Sequence, residues 1–247
     1  MAAVFRQDNL VSELNKGASA MNTLKPELIS LTVEDLAKNL NQAGIPPDFV
    51  PDNSRLLIKV WRTLVNGNPV TKEQIVQISE ELAISGDLAN EFLRQVTERD
   101  SDDNIIGLMG LSLNEDWAHR FNADGVPLRT WCAWDTLFLP AMVGKRVVVE
   151  SESPVSGETV SLVVSPEKVE SSTPPGAVVT IVTIDPALDD VSSVEAIWSN
   201  FCHQVFFFLS RAEAEQWAEG KTNIAILSVY DAYELGKRAF SDLLTYT

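Results

Sequence analysis

Cysteine is nearly absent from this chain: two in 247 residues, Cys132 and Cys202. So few exclude the disulfide framework that staples small secreted domains. Histidine is equally scarce, at His119 and His203, and these two with two distant cysteines do not compose a convincing zinc site. Basic residues are short as well, 19 Lys and Arg against 35 Asp and Glu, for a formal net charge of −16. Such a field repels nucleic acid and anionic membrane surfaces unless a basic patch overrides it, and only the isolated pairs Lys145–Arg146 and Lys237–Arg238 occur. Neither partner class is expected. No apolar run, the stretch Val205–Leu209 included, approaches the ~20 residues that cross a bilayer. The opening MAAVFRQDNLVSEL lacks the basic-then-apolar order of a secretory signal, so the cytoplasm is the expected compartment. There is no GxGxxG, P-loop, HExxH, CxxC or GxSxG motif, and no internal repeat.

What is present is an ordinary globular composition, 45% hydrophobic and 22% charged, with length for one large domain or two small ones. Residues 1–50 read as a helical extension. Leu10, Val11 and Leu14 suggest a short helix, and Thr32 caps a second that runs through Leu36 and Leu40 to Gly44. GIPPDFVPD reads as a linker, because each proline biases its predecessor away from the helix. Residues 51–128 carry three helical patterns. Leu56, Leu57, Val60, Trp61 and Leu64 mark the first, a Thr71–Gln74 capping box opens the second, and Leu88, Phe92, Leu93 and Val96 face inward on the third, over Asp87–Glu98. Strand-like runs at Ile105–Leu113 and Trp117–Phe121 follow, with a turn at Asn122–Gly125. Helices followed by a hairpin spell a winged-helix-like module. Its third helix and exit hold Asp87, Glu91, Glu98, Asp100, Asp102 and Asp103 against Arg94 and Arg99, so a structural, site-covering role is expected rather than DNA binding.

Residues 129–247 alternate strands and helices. A helix-like segment at Cys132–Ala141 leads to strands at Lys145–Glu150 and Thr159–Val164, and SSTPPG reads as a loop. A strand at Ala177–Ile184 follows, then a helix ending near Asn200, an apolar strand Val205–Leu209, a helix Arg211–Glu219, a strand Ile224–Val229 and a final helix Ala232–Leu244. The runs are too unequal and hairpin-like for a doubly wound parallel sheet, so the fold class is mixed α/β, of α+β type.

Chemistry concentrates in TWCAWDTLFLP, where Cys132 precedes Asp135 by three residues, a spacing that shares one face of a helical turn. Cys202 lies in SNFCHQVFFFLS, again among aromatic residues. The two stretches are expected to form one site. The plainer alternative is two buried thiols acting as small apolar residues, with Asp135 on a helix surface. His119 reads as a surface or hairpin residue.

TWCAWDTLFLPAMVGKRVVV resembles the signature of the organomercurial (alkylmercury) lyases, in which cysteine and acid lie in W-C-A-x-D-T-L. The likeness extends through VSLVVSP, SNFCHQVFFF and AILSVYDAYELG, and upstream through NGNPVTKEQI and DNIIGLMGLSLNE. It covers roughly residue 55 onward. It implies a winged-helix-like module before an α/β catalytic core, and cleavage of carbon–mercury bonds by protonolysis. Carried over by position, Cys132 and Cys202 are the thiolates that bind mercury, and Asp135 transfers the proton and is a possible third ligand. Trp131, Trp134 and Phe206 are candidates for the substrate wall. The resemblance implies no resident cofactor: mercury enters as substrate and leaves as product, low-molecular-weight thiols support turnover, and mercuric reductase is a possible acceptor of Hg²⁺. Two positions depart from a common pattern, His203 where relatives often carry a further cysteine and Ser153 where some carry one in a hairpin turn. A second reading is a non-catalytic binder of Hg²⁺ with the same fold; retention of an acid at Asp135 argues against it, since sequestration needs only thiolates.

Overall fold

The computed structural model describes residues 31–47 and 49–247; the helix expected around Leu10–Leu14 lies outside them. Among the described residues two antiparallel sheets carry the architecture. Eight strands form the larger, in the order β1 (Thr97–Arg99), β2 (Ile105–Leu108), β3 (Leu111–Ser112), β5 (Val126–Thr130), β4 (His119–Ala123), β6 (Val147–Glu152), β7 (Thr159–Val164) and β8 (Val169–Thr173). The smaller sheet has β9 (Val178–Val182) between β10 (Phe207–Phe208) and β11 (Ile224–Ser228). Mixed helix and hairpin-built sheet is what the unequal runs imply. The larger sheet is continuous through residues 128–129, because β5 straddles them.

Helix starts follow local chemistry. Thr32 accepts from the Asp35 amide to open α1 (Val33–Gln42), and Pro51 stands at the start of α2 (Pro51–Leu64). The Thr71–Gln74 capping box opens α3 (Lys72–Leu82), as its sequence indicates. In α4 (Gly86–Val96) Leu93 and Ala89 are buried while Leu88 is exposed, contrary to expectation. The chain leaves that helix two residues early: Thr97 turns extended, and Glu98 becomes part of β1. Ile105–Leu113 is not one strand either. Met109 and Gly110, both at positive φ, break it into β2 and β3. SSTPPG is loop only from Pro174, since Ser171–Thr173 pair with β7 as a sheet edge, where polar side chains face solvent.

The second half supplies α5 (Asp135–Val143), α6 (Val194–Asn200), a 3₁₀ turn at Cys202–Gln204, α7 (Arg211–Trp217), α8 (Val229–Ala239) and α9 (Ser241–Leu244). The expected single helix 232–244 is two, separated at Phe240. Helix α5 has no polar face. All its residues but Ala141 are buried, so it is a core helix wrapped by α2 and α8. Its approach to α8 depends on Gly236, where a Cβ would lie 2.7 Å from Phe138 Cβ. Among the described residues no helix is long and apolar enough to cross a membrane.

Candidate active site

Two chain segments meet at the start of α5. Strand β5 ends at Thr130, whose hydroxyl donates to the Cys132 carbonyl at 2.9 Å. The Trp131 amide donates to Gly110 O at 2.9 Å, tying the turn to the β2–β3 hairpin. The Ala133 amide donates to Val205 O at 3.2 Å, which joins the turn to the segment carrying Cys202. That segment is held in turn by Thr180 of β9, whose hydroxyl donates to Gln204 O at 2.9 Å and accepts from the Phe206 amide at 3.0 Å.

These ties bring Cys132 Sγ, Cys202 Sγ and an Asp135 carboxylate oxygen within 4.8 Å of one another, all three residues buried. The expected meeting of the two stretches is thus present. The i, i+3 relation is realised in the turn that enters α5 rather than within the helix: the Cys132 amide donates to Asp135 Oδ2 at 2.7 Å. Gly110 makes this possible twice over. Its φ is +99°, and a Cβ there would sit 2.7 Å from Asp135 Cγ. A glycine inside an apolar strand pattern signals close approach, so this supporting residue was findable in the sequence.

Burial sets the protonation. It pushes the Asp135 carboxyl up to about 7, against the pull of the Cys132 amide and thiol. Burial also raises the Cys132 thiol well above its ordinary range, helped by the thiol of Cys202 and the charge of Asp135. The hydrogen bond with Cys132 lowers the Cys202 thiol, but burial and Asp135 leave it raised on balance. The resting site therefore favours two thiols beside a carboxyl poised near neutrality.

A cavity of about 590 Å³ opens onto this group. Trp131, Trp134, Asp135 and Cys202 line it, and Cys132 lies behind them, fully buried. Phe206 is not among the lining residues. The backbone turns there so that its ring packs against His119 and Trp217, with centroids 6.2 and 5.5 Å away, while Phe138, Phe201 and Phe240 take the aromatic positions on the wall. Further lining comes from Ala43–Pro47, which the sequence presents largely as linker, and from residues between Pro186 and Ile197, the approach to and start of the helix expected to end near Asn200. His119 belongs to the β4–β5 hairpin, one of the two places expected for it, but not to the surface. It is buried on β4, with Nδ1 2.7 Å from Ser151 Oγ, and burial lowers it to about 4, so it is neutral. His203 is exposed next to Cys202, its ring 6.1 Å from that of Trp117. Ser153 donates to Glu213 at 2.7 Å in the β6–β7 turn.

Residues 112–241 match the family model described as alkylmercury lyase. An alkylmercury lyase of Bacillus cereus is 41% identical over 205 residues, 83% of this chain and 89% of that protein. One of Streptomyces lividans is 39% identical over 193 residues, 75% of this chain and 84% of the relative, and one of Pseudomonas putida 36% over 203 residues, 81% and 88%. The crystal structure of the mercury-bound form of MerB2 superposes with a TM-score of 0.67 over 85% of this chain and 99% of that one; at 22% identity this likeness speaks for the fold alone. The signature residues, the buried cluster they form and relatives matched over most of their length agree: the chain belongs to the alkylmercury lyase family.

Proposed function

We propose that this protein cleaves carbon–mercury bonds by protonolysis, with Cys132 and Cys202 as mercury ligands and Asp135 as the proton carrier. The observation that carries the reading is the convergence of two thiols and one carboxyl, all buried, within 4.8 Å. Mercury is soft and thiolate is the softest ligand a protein offers. Asp135 in its ionised form accepts the Cys132 proton as the thiolate displaces the leaving ligand X from R–Hg–X. Cys202 adds as the second sulfur and releases the proton that leaves as HX. Two sulfurs on mercury push electron density toward the bound carbon. The Hg–C electron pair then takes the proton from Asp135, giving R–H and Hg²⁺ held by two thiolates. The two thiol protons thus end in HX and R–H. A carboxyl brought to about 7 by burial suits both halves of this duty near neutral pH. Trp131 and Trp134 supply the wall for R.

Mercury is substrate and product in this scheme, with no resident cofactor. A small thiol then draws Hg²⁺ from the buried pair, and mercuric reductase is a fitting acceptor. We read residues 51–128 as a winged-helix-like module that covers the site, residues 129–247 as the catalytic core, and residues 1–50 as an extension. Val96 and Met109 of the module and Ala43–Pro47 of the extension all line the cavity, which supports covering roles. Lys72, Arg94 and Arg99 gather on Asp103 at 3.4, 2.9 and 3.4 Å, a use of positive charge that does not favour phosphate contact.

The test is direct. Reduced protein given phenylmercuric acetate with excess small thiol should release benzene catalytically. Retention of mercury without benzene would instead indicate a soft-metal binder.

A further inference from the structure

We infer that Glu98 is a positioning residue for the organic group of the substrate, acting through the indole of Trp131. The inference rests on the lyase reading above and deepens it. Glu98 stands on β1, outside the cavity lining, yet its carboxylate is turned inward and accepts from three side chains. Oε1 takes the indole N–H groups of Trp117, at 3.0 Å, and of Trp131, while Oε2 takes the Ser112 hydroxyl at 3.0 Å. Burial raises this carboxyl while the three donors pull it down. Space for it is made by glycine: a Cβ on Gly107 would lie 2.8 Å from Glu98 Cδ. A carboxylate partly withdrawn from water and supplied with three donors is a fixed acceptor, and its geometry fixes its donors.

Trp131 is the donor that matters to substrate. It precedes Cys132 directly and lines the cavity with Asp135 and Cys202. Its aromatic neighbours are Trp198, edge-on at 5.3 Å, and Trp117 at 6.4 Å. Edge contacts between rings are non-specific in direction, whereas a hydrogen bond from the indole N–H to a half-buried carboxylate selects one orientation of the ring. Glu98 therefore decides where the flat face beside the mercury ligands stands. An aryl group on mercury, held by stacking, needs that face in place; a methyl group hardly reaches it.

A wall that packs against R equally before and during bond cleavage changes KM and leaves kcat. The experiment uses the full-length enzyme with Glu98→Gln, Trp131→Phe and the double variant. KM and kcat are read for phenylmercuric acetate and methylmercuric chloride, with Hg²⁺ stoichiometry after desalting. Glu98→Gln should raise KM for phenylmercury about tenfold, the scale of one hydrogen bond to a charged group. Its kcat should hold within about twofold and the KM for methylmercury should barely move. Trp131→Phe, which keeps a ring and loses the N–H, should do the same, and the double variant should be no worse than either single one. Additive losses, an equal effect on both substrates, or a fall in kcat at constant KM would overturn the inference. Should Glu98→Gln fail to fold, Trp131→Phe decides alone: an unchanged phenylmercury KM refutes it and a selective rise supports it. If the unsubstituted enzyme turns over but neither variant shifts KM, only the Glu98 inference falls. If it releases no benzene, the lyase reading fails and takes the inference with it.

Discussion

Two carboxylates, Asp135 buried and Glu98 half-buried, lie against two glycines of the same hairpin and are used in opposite ways. Asp135 fits against Gly110, and Glu98 against Gly107 three residues earlier. Asp135 has one backbone amide and the Cys132 thiol for company, and burial leaves it at about 7. Glu98 has two indoles and a hydroxyl, none of which gives up a proton near neutral pH. Burial alone does not assign a role. The neighbours do: an acid beside a dissociable thiol can trade protons, while one ringed by indoles can only hold them in place.

The most severe break of this comparison is at sulfur. Cys132→Ser and Cys202→Ser should each cut benzene release by on the order of 10³-fold or more, as when members of a catalytic unit are removed singly. Near-normal turnover in either variant would end the paired-thiol scheme. Asp135→Asn comes next. Protonolysis should fall by at least ~10²-fold, while mercury remaining after desalting stays at the unsubstituted level because affinity resides in sulfur. In the unsubstituted enzyme kcat/KM should rise with pH through about 7, since Asp135 must be ionised to take the thiol proton. The asparagine variant should lose that inflection and recover capture, not cleavage, at high pH. Full recovery of cleavage there would reduce Asp135 to a thiol activator.

The same residue makes a stability prediction of opposite sign. Its carboxyl is raised in the folded state from 3.8 to about 7, so between those values the native protein holds a proton that the unfolded chain has released. Its contribution is fully present below pH ~4 and is lost as pH rises through about 7. Asp135→Asn should therefore be more stable than the parent at pH 8, by roughly 2–4 kcal/mol, with the difference vanishing near pH 4. Thermal melts at the two pH values check it. Gly110→Ala tests the supporting hairpin. With φ +99° and a clash at Asp135, it should lose roughly 2–3 kcal/mol and about tenfold or more in kcat. A variant with normal kcat would show that Asp135 does not depend on this glycine for its position.

Much of this was legible in local chemistry. Capping at Thr32 and Thr71, the stop at Gly44 and the alternation in Thr159–Val164 are short-range, and each appears where its residues call for it. The Cys132–Asp135 spacing was legible too, and so were the two aromatic-flanked cysteine stretches. Less legible were residues whose surroundings are assembled from afar. Glu98 counted as one more acid on a charged helix exit, although its partners Ser112, Trp117 and Trp131 lie 14 to 33 positions on. His119, with its partner Ser151 32 positions on, gave no local sign of burial.

By itself the sequence named the candidates, two thiols, one carboxyl and the indoles around them, because side-chain chemistry is carried by residue type. Only the tertiary structure decided that Cys132 and Cys202, seventy positions apart in the chain, share one buried space. That meeting rests on backbone bonds such as Ala133 to Val205, which have no periodicity to read. It also decided that Asp135 rests near neutrality and not near 3.8, since desolvation depends on everything packed around a group and not on the group's neighbours in sequence.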